Sequence, residues 1–373
     1  MAAKRKRAPV QPALGKPTPR TRIKRLREQL LAWYDTSHRD LPWRTSRDPY
    51  AIWISETMLQ QTRVETVIPY YDRFLERFPD IDSLATADRE EVFEHWAGLG
   101  YYSRARNLHE SAKKMVDDFG SSVPNEVDQL RTLPGVGRYT AGAVASIAFD
   151  KPEAVVDGNV VRVLTRLLDI RADVSHREVQ SRLWEEAGAL AKGPRPGDLN
   201  QALMEFGATV CTPRSPGCKT TCPLARLCHG LRAGKVDELP NKPKKKKPRA
   251  ADAIAVWLPR RSKLLAVQRP EQGLLANLWE LPGAELPQGA EPKDHVARLI
   301  RERTGLEIIN PLHAGTVEHI FTHLKLNLHV FRCSEAEGRV KLTHHQAHRW
   351  VSATAFSKLP LATLTRKALE LLL

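Results

Sequence analysis

The stretch LPGVGRYTAGA at residues 133–143 decides the fold of the first half of the chain. Gly135 and Gly137 permit the positive φ angles that a very tight turn needs, and Pro134 stiffens the entry to that turn. A helical pattern follows from Thr140, so the backbone N–H groups at its start face outward and suit an anion such as a nucleic-acid phosphate. A Pro-Gly pair alone would favour a plain turn between two helices, whereas the full string is far more specific.

Helical spacing of apolar residues surrounds this turn on both sides. It extends from Ile23 to about Leu231, and no run in that span alternates with the period of a strand. Asp48 and Pro49 supply an N-cap and a first-turn proline for a helix that continues through Leu59. Further helices are predicted at Glu90–Trp96, Tyr102–Phe119, Val127–Thr132, Thr140–Ala148, Val160–Leu168, His176–Ala191 and Leu199–Thr209. The first large domain is therefore predicted to be all-α.

The character of the sequence changes after residue 250. Residues 233–250 are rich in Lys and Pro, as a linker would be. Beyond them, strands are predicted at Ala251–Leu258, Lys263–Gln268, His313–Phe321 and Leu324–Arg332, with a helix at Asp294–Thr304. We therefore predict a multidomain chain: a disordered basic tail (1–24), an all-α domain (25–232), a basic linker (233–250) and an α+β domain (251–373).

The net charge of +15 is concentrated in two segments. Residues 1–27 contain ten Lys and Arg, residues 241–249 contain six, and neither segment contains an acidic residue. With those sixteen set aside from the total of 58, 42 basic residues remain against 43 acidic ones. The basic segments suit salt-sensitive contacts with nucleic-acid phosphates, although a solvated tail and a solvated linker explain them equally well. Lys4-Arg5-Lys6-Arg7 also has the composition of a nuclear localisation signal.

The cellular location follows from what the sequence lacks. No apolar run reaches the roughly 20 residues that cross a bilayer, and no apolar segment follows the charged N-terminus as in a secretory signal. We expect a soluble, cytoplasmic protein without a membrane partner.

Two carboxylates stand out in the helical half. Glu56 lies among Ile54, Met58 and other apolar residues, and apolar neighbours raise a carboxyl pKa and favour the protonated acid. Asp157 opens a helix, where the positive helix end is expected to lower its pKa and keep it ionised. A lone Asp there is usually a cap, and a lone Glu usually faces solvent. Together, one neutral and one ionised carboxyl are what glycosidic cleavage requires.

Four of the five cysteines lie in one short loop. Their spacing is Cys211-x6-Cys218-x3-Cys222-x5-Cys228, and Cys333 stands alone. Such a tight cluster indicates a metal site rather than disulfides. Structural zinc modules usually separate two close pairs by a longer stretch, so a four-iron, four-sulfur (4Fe–4S) cluster is favoured over zinc, and four free thiols rank below both.

These residues resemble a known family. Residues 25–232 are similar to the helix–hairpin–helix DNA glycosylase superfamily, and within it to the adenine glycosylase (MutY) branch. The likeness rests on LPGVGRYTAGA, on the cysteine loop, and on HRDLPWR (38–44), ISETMLQQT (54–62), WAGLGYYSRARNLH (96–109) and VVDGNVVRVLTR (155–166). It implies a base-flipping, nucleoid-associated monomer that removes adenine paired with 8-oxoguanine, and also with G, in double-stranded DNA. The family usually has two residues between the second and third cysteines, where this chain has three.

The resemblance assigns roles to individual residues. Glu56 corresponds to the acid that protonates adenine, and Asp157 to the carboxylate that stabilises the sugar cation or its covalent adduct. Tyr139 and Asn159 support them. The lyase branch has a lysine where Tyr139 stands, so a monofunctional glycosylase is expected. The DNA- and substrate-binding set implied by the resemblance is Trp43, Arg44, Gln61, Leu99, Tyr101, Gly135, Gly137, Gln201, Thr322 and His323. The implied metal ligands are Cys211, Cys218, Cys222 and Cys228.

Residues 251–373 resemble the family's Nudix-like C-terminal domain. GLLANLWELPG at 273–283 is similar to the approach to a Nudix box, but RERTG at 301–305 lacks the paired glutamates that would hold magnesium. We therefore expect a module that reads 8-oxoguanine, with Phe321-Thr322-His323 as its recognition loop. Three alternatives remain open: a lyase-type glycosylase for oxidised pyrimidines, a non-catalytic iron–sulfur DNA-binding protein, and a Nudix hydrolase.

Overall fold

The computed structural model describes residues 17–243 and 248–373, which form two compact units. Among them, residues 17–75 and 110–243 make up the first unit, and residues 76–109 and 248–373 the second. The helices are α1 (Arg20–Ser37), α2 (Pro49–Met58), α3 (Val64–Arg77), α4 (Ile81–Thr86), α5 (Arg89–Trp96), α6 (Ser103–Phe119), α7 (Val127–Leu130), α8 (Arg138–Phe149), α9 (Gly158–Leu168), α10 (Arg177–Ala191), α11 (Pro196–Thr209), α12 (His229–Arg232), α13 (Pro292–Thr304), α14 (Ala353–Lys358) and α15 (Thr363–Glu370). The strands are β1 (Arg249–Trp257), β2 (Pro259–Arg260), β3 (Lys263–Gln268), β4 (Trp279–Glu280), β5 (Gly283–Glu285), β6 (Glu307–Ile309), β7 (Leu312–Ile320), β8 (Leu324–Arg332), β9 (Glu335–Glu337) and β10 (Ala347–Val351).

The first unit is all-α in its described residues, as predicted, and the predicted helices agree with the observed ones to within a few residues. Across both units, five of the described helices were not predicted, namely α3, α4, α12, α14 and α15, most of them short. The helix α3 contains Pro69, which removes a backbone donor and interrupts the helical signal. The helix α4 has six residues, too few to establish a periodic pattern.

The core of the first unit lies where α1, α9, α10 and α11 pack together. One apolar stripe from each helix is buried in it, which is the spacing of three and four residues seen in the sequence. Representative side chains with at most 1% exposure are Leu30, Leu164, Leu183, Leu203 and Phe206. This packing fixes the relative positions of α9 and α11, two helices that carry site residues.

Two predicted boundaries of the all-α domain are corrected. The tail was predicted to reach residue 24, but α1 begins at Arg20, and the Arg22 guanidinium donates to the carbonyls of Leu167 and Leu227 at 2.9 and 2.7 Å. The linker was predicted to begin at 233, but Val236 and Leu239 are buried in the first unit because both are apolar. Residues 1–16 of the predicted tail and 244–247 of the predicted linker lie outside the described residues.

The second unit contains the predicted α+β fold. Its main sheet has the strand order β5-β1-β8-β7, with β1 and β8 parallel and the other pairs antiparallel. A smaller sheet joins β10, β3 and β2, with β4 on β3. Apolar side chains alternate along β8, where Leu324, Leu326 and Leu328 face one core, so period-two patterning located this strand correctly.

Residues 76–109 belong to the second unit, although the sequence predicted one helical domain from 25 to 232. The Glu90 carboxylate on α5 accepts two hydrogen bonds from Arg349 on β10, both at 3.0 Å, and one from the Trp279 ring at 3.3 Å. The Tyr102 hydroxyl also donates to the Leu361 carbonyl at 3.1 Å. Helical periodicity alone does not reveal which unit a helix packs against.

Among the described residues, no helix is both long enough and apolar enough to span a membrane.

Candidate active site

Glu56 is held inside the first unit by the way α2 begins. The Asp48 side chain accepts hydrogen bonds from the backbone of Tyr50 and Ala51, and Pro49 occupies the first turn, as predicted. Nearly every residue of this helix is buried, and Glu56 is 5% exposed. Burial raises the pKa of Glu56 to about 7, helped by the charge of Asp157 and opposed by the Tyr139 hydrogen bond and by Arg44. The carboxyl is therefore substantially protonated near neutral pH, as the sequence predicted.

Tyr139 reaches Glu56 from the first turn of α8. Its hydroxyl donates to Glu56 Oε2 at 2.7 Å and also lies 3.2 Å from Met204 Sδ. Gly135, with φ of +75°, makes the predicted tight turn before α8, whereas Gly137 has a negative φ of −87° and an extended backbone. Burial raises the pKa of Tyr139 well above its ordinary value, and the charges of Glu56 and Asp157 add to this. The hydroxyl therefore stays protonated and acts as a donor.

Asp157 is the N-cap of α9, as predicted. It accepts from the Val160 backbone N–H at 2.7 Å and from the Asn159 side chain at 2.8 Å. The predicted direction of its pKa is corrected. Burial raises the pKa of Asp157, and the hydrogen bonds from Val160 and Asn159, with the nearby charge of Arg162, only partly offset that increase. The helix end was visible in the sequence, but the degree of burial was not.

Arg162, which the sequence interpretation did not single out, fixes the position of Asn159. Its guanidinium donates to Asn159 Oδ1, to the Gly207 carbonyl and to the Cys211 carbonyl, each at 2.7 Å. A Cβ atom at Gly207 would lie 2.6 Å from the Asn159 Cβ, so only glycine permits this approach of α11. The signal available in the sequence was the spacing of Asn159 and Arg162 on one helix face.

The catalytic candidates described above line one cavity of about 160 Å³. Besides Glu56, Tyr139, Asp157 and Asn159, its lining includes the three predicted pocket residues Trp43, Arg44 and Gln201. The structure therefore brings seven of the predicted residues to a single site.

The same cavity contains Arg39 and Glu205, which the sequence interpretation missed. The Glu205 carboxylate accepts from Arg39 at 2.7 and 3.0 Å and from Arg44 at 2.9 Å. Burial favours a raised pKa for Glu205, but the hydrogen bonds and charges of the two arginines outweigh it and lower the pKa. Arg44 Nε is buried and has no hydrogen-bond partner among the described residues. Gln201 and Glu205 are four residues apart on α11, and that spacing was the available signal.

The predicted DNA-facing residues of the first unit lie outside this cavity. Gln61 is exposed, with φ of +58°, just beyond the end of α2. Gly137 is the exposed N-cap of α8, and the exposed Gly135 precedes it. These positions leave backbone and side-chain groups open to a ligand.

In the second unit, Tyr101, Thr322 and His323 line a cavity of about 710 Å³. The Tyr101 hydroxyl lies 3.3 Å from the Thr322 hydroxyl, and the Tyr101 side chain is 46% exposed. Leu99, predicted to contact DNA, is only 5% exposed because it packs inside the unit. Tyr101 is therefore the accessible member of that predicted pair.

The four loop cysteines line one cavity together with apolar side chains such as Val163 and Leu224. Among the described residues, no three metal-ligating side chains converge closely enough to hold an ion as they stand. Burial raises the pKa of Cys218, Cys222 and Cys228, that of Cys222 to about 12, and the neighbouring cysteines add to the effect. Arg166 Nη1 lies 3.4 Å from Cys211 Sγ, and the Leu231 N–H lies 3.4 Å from Cys228 Sγ. Four thiols with N–H donors form a donor set that fits an iron–sulfur cluster.

Comparisons with known proteins agree with this arrangement. A model of the HhH-GPD superfamily of base excision DNA repair proteins matches residues 54–188, and a NUDIX domain model matches residues 253–371. The chain is 39% identical to the mouse adenine DNA glycosylase, over 92% of this chain and 77% of that protein. It is 38% identical to the human adenine DNA glycosylase, over 91% and 72%.

A solved structure supports the fold of the helical region. The structure of a thermostable thymine-DNA glycosylase aligns with a TM-score of 0.52 and 33% identity, covering 57% of this chain and 98% of that one. The similarity to curated adenine glycosylases extends over both units. The chain belongs to the adenine DNA glycosylase family and is a base excision repair enzyme that hydrolyses N-glycosyl bonds in DNA.

Proposed function

We propose that this enzyme excises adenine opposite 8-oxoguanine, and also opposite G, and that it leaves an intact abasic strand. The observation that carries the proposal is the buried Glu56, whose pKa of about 7 provides an acid at neutral pH, hydrogen-bonded to Tyr139 rather than to a lysine.

Glu56 acts as the general acid. It gives its proton to N7 of adenine while the bond between C1′ and N9 breaks, and the electron pair of that bond stays on the departing base. Adenine leaves neutral, and the sugar becomes a cation of oxocarbenium character. Burial suits this step because it raises the pKa of Glu56. The carboxyl therefore still carries its proton near neutral pH when the base arrives.

Asp157 stabilises the sugar cation through its negative charge or through a transient bond to C1′. Hydrogen bonds from Val160 and Asn159 hold its two oxygens at 2.7 and 2.8 Å. Water then adds to C1′, and its proton restores the acid form of Glu56, so the products are adenine and an abasic site.

Tyr139 supports monofunctional chemistry. A lyase needs an amine that forms a Schiff base with C1′ and then promotes strand scission. A phenol cannot form that bond. Its hydrogen bond to Glu56 instead orients the acid.

The flipped adenine occupies the 160 Å³ cavity. Arg44, held by Glu205, supplies a donor at the base edge, while Trp43 and Gln201 shape the wall. Extruding a base costs a few kcal/mol and is cheapest for a mispaired one, which favours the intended substrate.

The second unit recognises the base that lies opposite the target adenine. The oxidised guanine has a hydrogen on N7, where guanine has only an acceptor, so a hydroxyl that accepts a hydrogen bond distinguishes the two. Thr322 provides such a hydroxyl, 3.3 Å from that of Tyr101, and His323 lies beside it.

A 4Fe–4S cluster held by Cys211, Cys218, Cys222 and Cys228 completes the proposal. When bound, it supplies folding energy to the loop and acts as a structural cofactor. Arg166 and the Leu231 N–H then donate to its sulfur ligands. Because the substrate is genomic DNA, we also place the enzyme, as a monomer, with the DNA of the cell.

The test is single-turnover base release from labelled duplexes with A opposite 8-oxoguanine, G or T, and from a thymine-glycol duplex, each read with and without alkali. We expect release from the 8-oxoguanine and G mispairs, with strand breaks only after alkali. Thymine-glycol cleavage without alkali would favour the lyase alternative. Binding without release from any duplex would favour a non-catalytic lesion-binding protein.

A further inference from the structure

The cavity of about 710 Å³ in the second unit has a wall that the proposed function does not use. Its lining includes Tyr101 and Thr322, and also residues 272–276, which the proposed function leaves without a role. Leu274 in this segment is 38% exposed. The exposed part of this apolar side chain gains no burial free energy from folding, and contact with a ligand would cover it.

Exposed apolar side chains gather around this cavity. Seven large hydrophobic side chains are exposed in the described residues, and three of them, Tyr101, Leu274 and Ile320, line it. Scattered exposed hydrophobics need no explanation, but several around one cavity indicate a binding surface.

The 269–277 loop holds Leu274 in a fixed place. The Asn277 N–H donates to the Pro270 carbonyl at 3.1 Å, which closes the loop. Leu275 and Asn277 have φ angles of +55° and +63°, values that non-glycine residues rarely adopt. Such a backbone persists only where its surroundings impose it.

Two arginines impose this shape. Arg269 Nε donates to the Leu274 carbonyl at 2.8 Å, and the same guanidinium binds both oxygens of Glu280 at 3.0 Å. Arg106, on α6, donates to the Glu271 carbonyl at 3.0 Å. The loop is therefore tied to α6, the helix that begins just after Tyr101.

The lining of the cavity indicates its occupant. Arg106 is the one Lys or Arg among the described residues that line it, so the wall is not built for a row of phosphates. Apolar side chains beside the Tyr101 and Thr322 hydroxyls instead suit a nucleobase, which has apolar faces and a polar edge.

We propose that Leu274 is a further specificity-determining residue, which packs against the nucleotide opposite the target adenine, beside the Thr322 hydroxyl. The proposal rests on the proposed function. Leu274 supplies apolar contact, Thr322 supplies the hydrogen bond, and the 269–277 loop keeps the two at a fixed separation.

The test compares Leu274→Ala with Leu312→Ala. Leu312 is a matched control because it is exposed, at 70%, in the same unit and does not line the cavity. Affinity is measured on duplexes that hold a non-hydrolysable 2′-fluoro-adenosine opposite 8-oxoguanine, and on undamaged duplex. We expect about a tenfold loss of affinity for the damaged duplex in Leu274→Ala, from the lost apolar contact. Leu274→Met should retain most of the wild-type affinity for the damaged duplex. Leu312→Ala should bind both duplexes as the wild type does.

Other outcomes separate this inference from the proposed function. Equal affinity of Leu274→Ala and Leu312→Ala, or an equal loss on damaged and undamaged duplex, would overturn the role of Leu274. The rate of base release at saturating enzyme should stay within about twofold of wild type in Leu274→Ala, and a large fall there would also overturn it. Failure of the wild-type enzyme to release adenine opposite 8-oxoguanine would instead overturn the proposed function.

Discussion

The Tyr139 hydroxyl donates a hydrogen bond of 2.7 Å to Glu56 Oε2, and so ties the first turn of α8 to the buried carboxyl on α2. This bond lowers the pKa of Glu56, whereas burial and the charge of Asp157 raise it, and the balance leaves a value of about 7. Tyr139 therefore helps to set the pH range in which the acid is protonated.

The Tyr139→Phe substitution should move the alkaline limb of the pH–rate profile. In the wild type, base release should fall as pH rises through about 7, because Glu56 must be protonated to act. Without the hydroxyl, ionised Glu56 loses a hydrogen-bond donor, its pKa rises, and the alkaline limb shifts to higher pH. The measurement is the single-turnover rate constant across pH 5 to 9.

The control for that prediction is Met204→Leu. Met204 also contacts the Tyr139 hydroxyl, at 3.2 Å, but its loss leaves the bond to Glu56 intact. The control should keep the wild-type limb. A Phe variant whose limb coincides with that of the wild type would show that Tyr139 does not set the pKa of Glu56.

The Glu56→Gln substitution should nearly abolish base release while keeping mispair binding. The amide has the shape of the acid but has no proton to give, and general-acid contributions are about 10² to 10⁴-fold. Single-turnover kinetics and equilibrium binding measure the two effects separately. Rapid release by the variant would remove Glu56 from the role of acid.

The same variant should show how Glu56 affects stability. In the folded protein its pKa is raised to about 7, from about 4.5 in the unfolded chain, so the folded state binds the extra proton between those values. The free energy of unfolding of the wild type should therefore fall, relative to that of Glu56→Gln, as pH rises from 4.5 to 7, and the difference should be constant above 7. Urea unfolding at several pH values measures this, and a difference that does not change with pH would contradict it.

Replacing a loop cysteine should remove the cofactor. Cys222→Ser should abolish the visible absorbance and the bound iron of the purified protein and lower its stability, because metal binding contributes folding energy. Cys333→Ser is the control, since Cys333 is a buried free cysteine that lies in the second unit, outside the loop. Equal iron content in the two variants, or bound zinc in place of iron in the wild type, would contradict the cluster.

The sequence was most informative where a local pattern carries the chemistry. Asp48 and Asp157 were recognisable as helix caps, and the hydrophobic neighbours of Glu56 predicted its raised pKa. The direction for Asp157 was wrong because a helix end is a local feature, whereas burial depends on packing with distant segments. Glu205 was missed for the same reason: its partners Arg39 and Arg44 lie more than 160 positions away along the chain.

Periodicity predicted the helices and strands, but it did not predict which of them pack together. The helices between residues 76 and 109 were predicted as part of one helical domain, whereas contacts such as those of Glu90 with Arg349 and Trp279 place them in the second unit. Leu99 lies in a family motif and was therefore predicted to contact DNA. Its burial depends on how this segment packs in the second unit, and the motif does not reveal that packing.

The last prediction concerns Glu205, whose carboxylate lies between the Arg39 and Arg44 side chains in the cavity of about 160 Å³. Its side chain is 1% exposed and binds Arg39 and Arg44. The Glu205→Gln substitution leaves the positive charges uncompensated and should lower the free energy of unfolding by roughly 2–4 kcal/mol, less than for a fully buried pair because Arg39 is 37% exposed. Base release should fall as well, since Arg44 loses the partner that positions it.

Glu28→Gln is the matched control, because Glu28 pairs with Lys24 at 3.9 Å on the surface of α1, with its side chain 60% exposed. An exposed pair of this kind contributes about 0.5 kcal/mol or less, so this variant should unfold and react nearly as the wild type does. Urea unfolding and single-turnover release are measured on both variants under the same conditions. Equal stabilities would show that Glu205 does not hold the arginines in place, whereas a stability loss without slower release would restrict its role to folding.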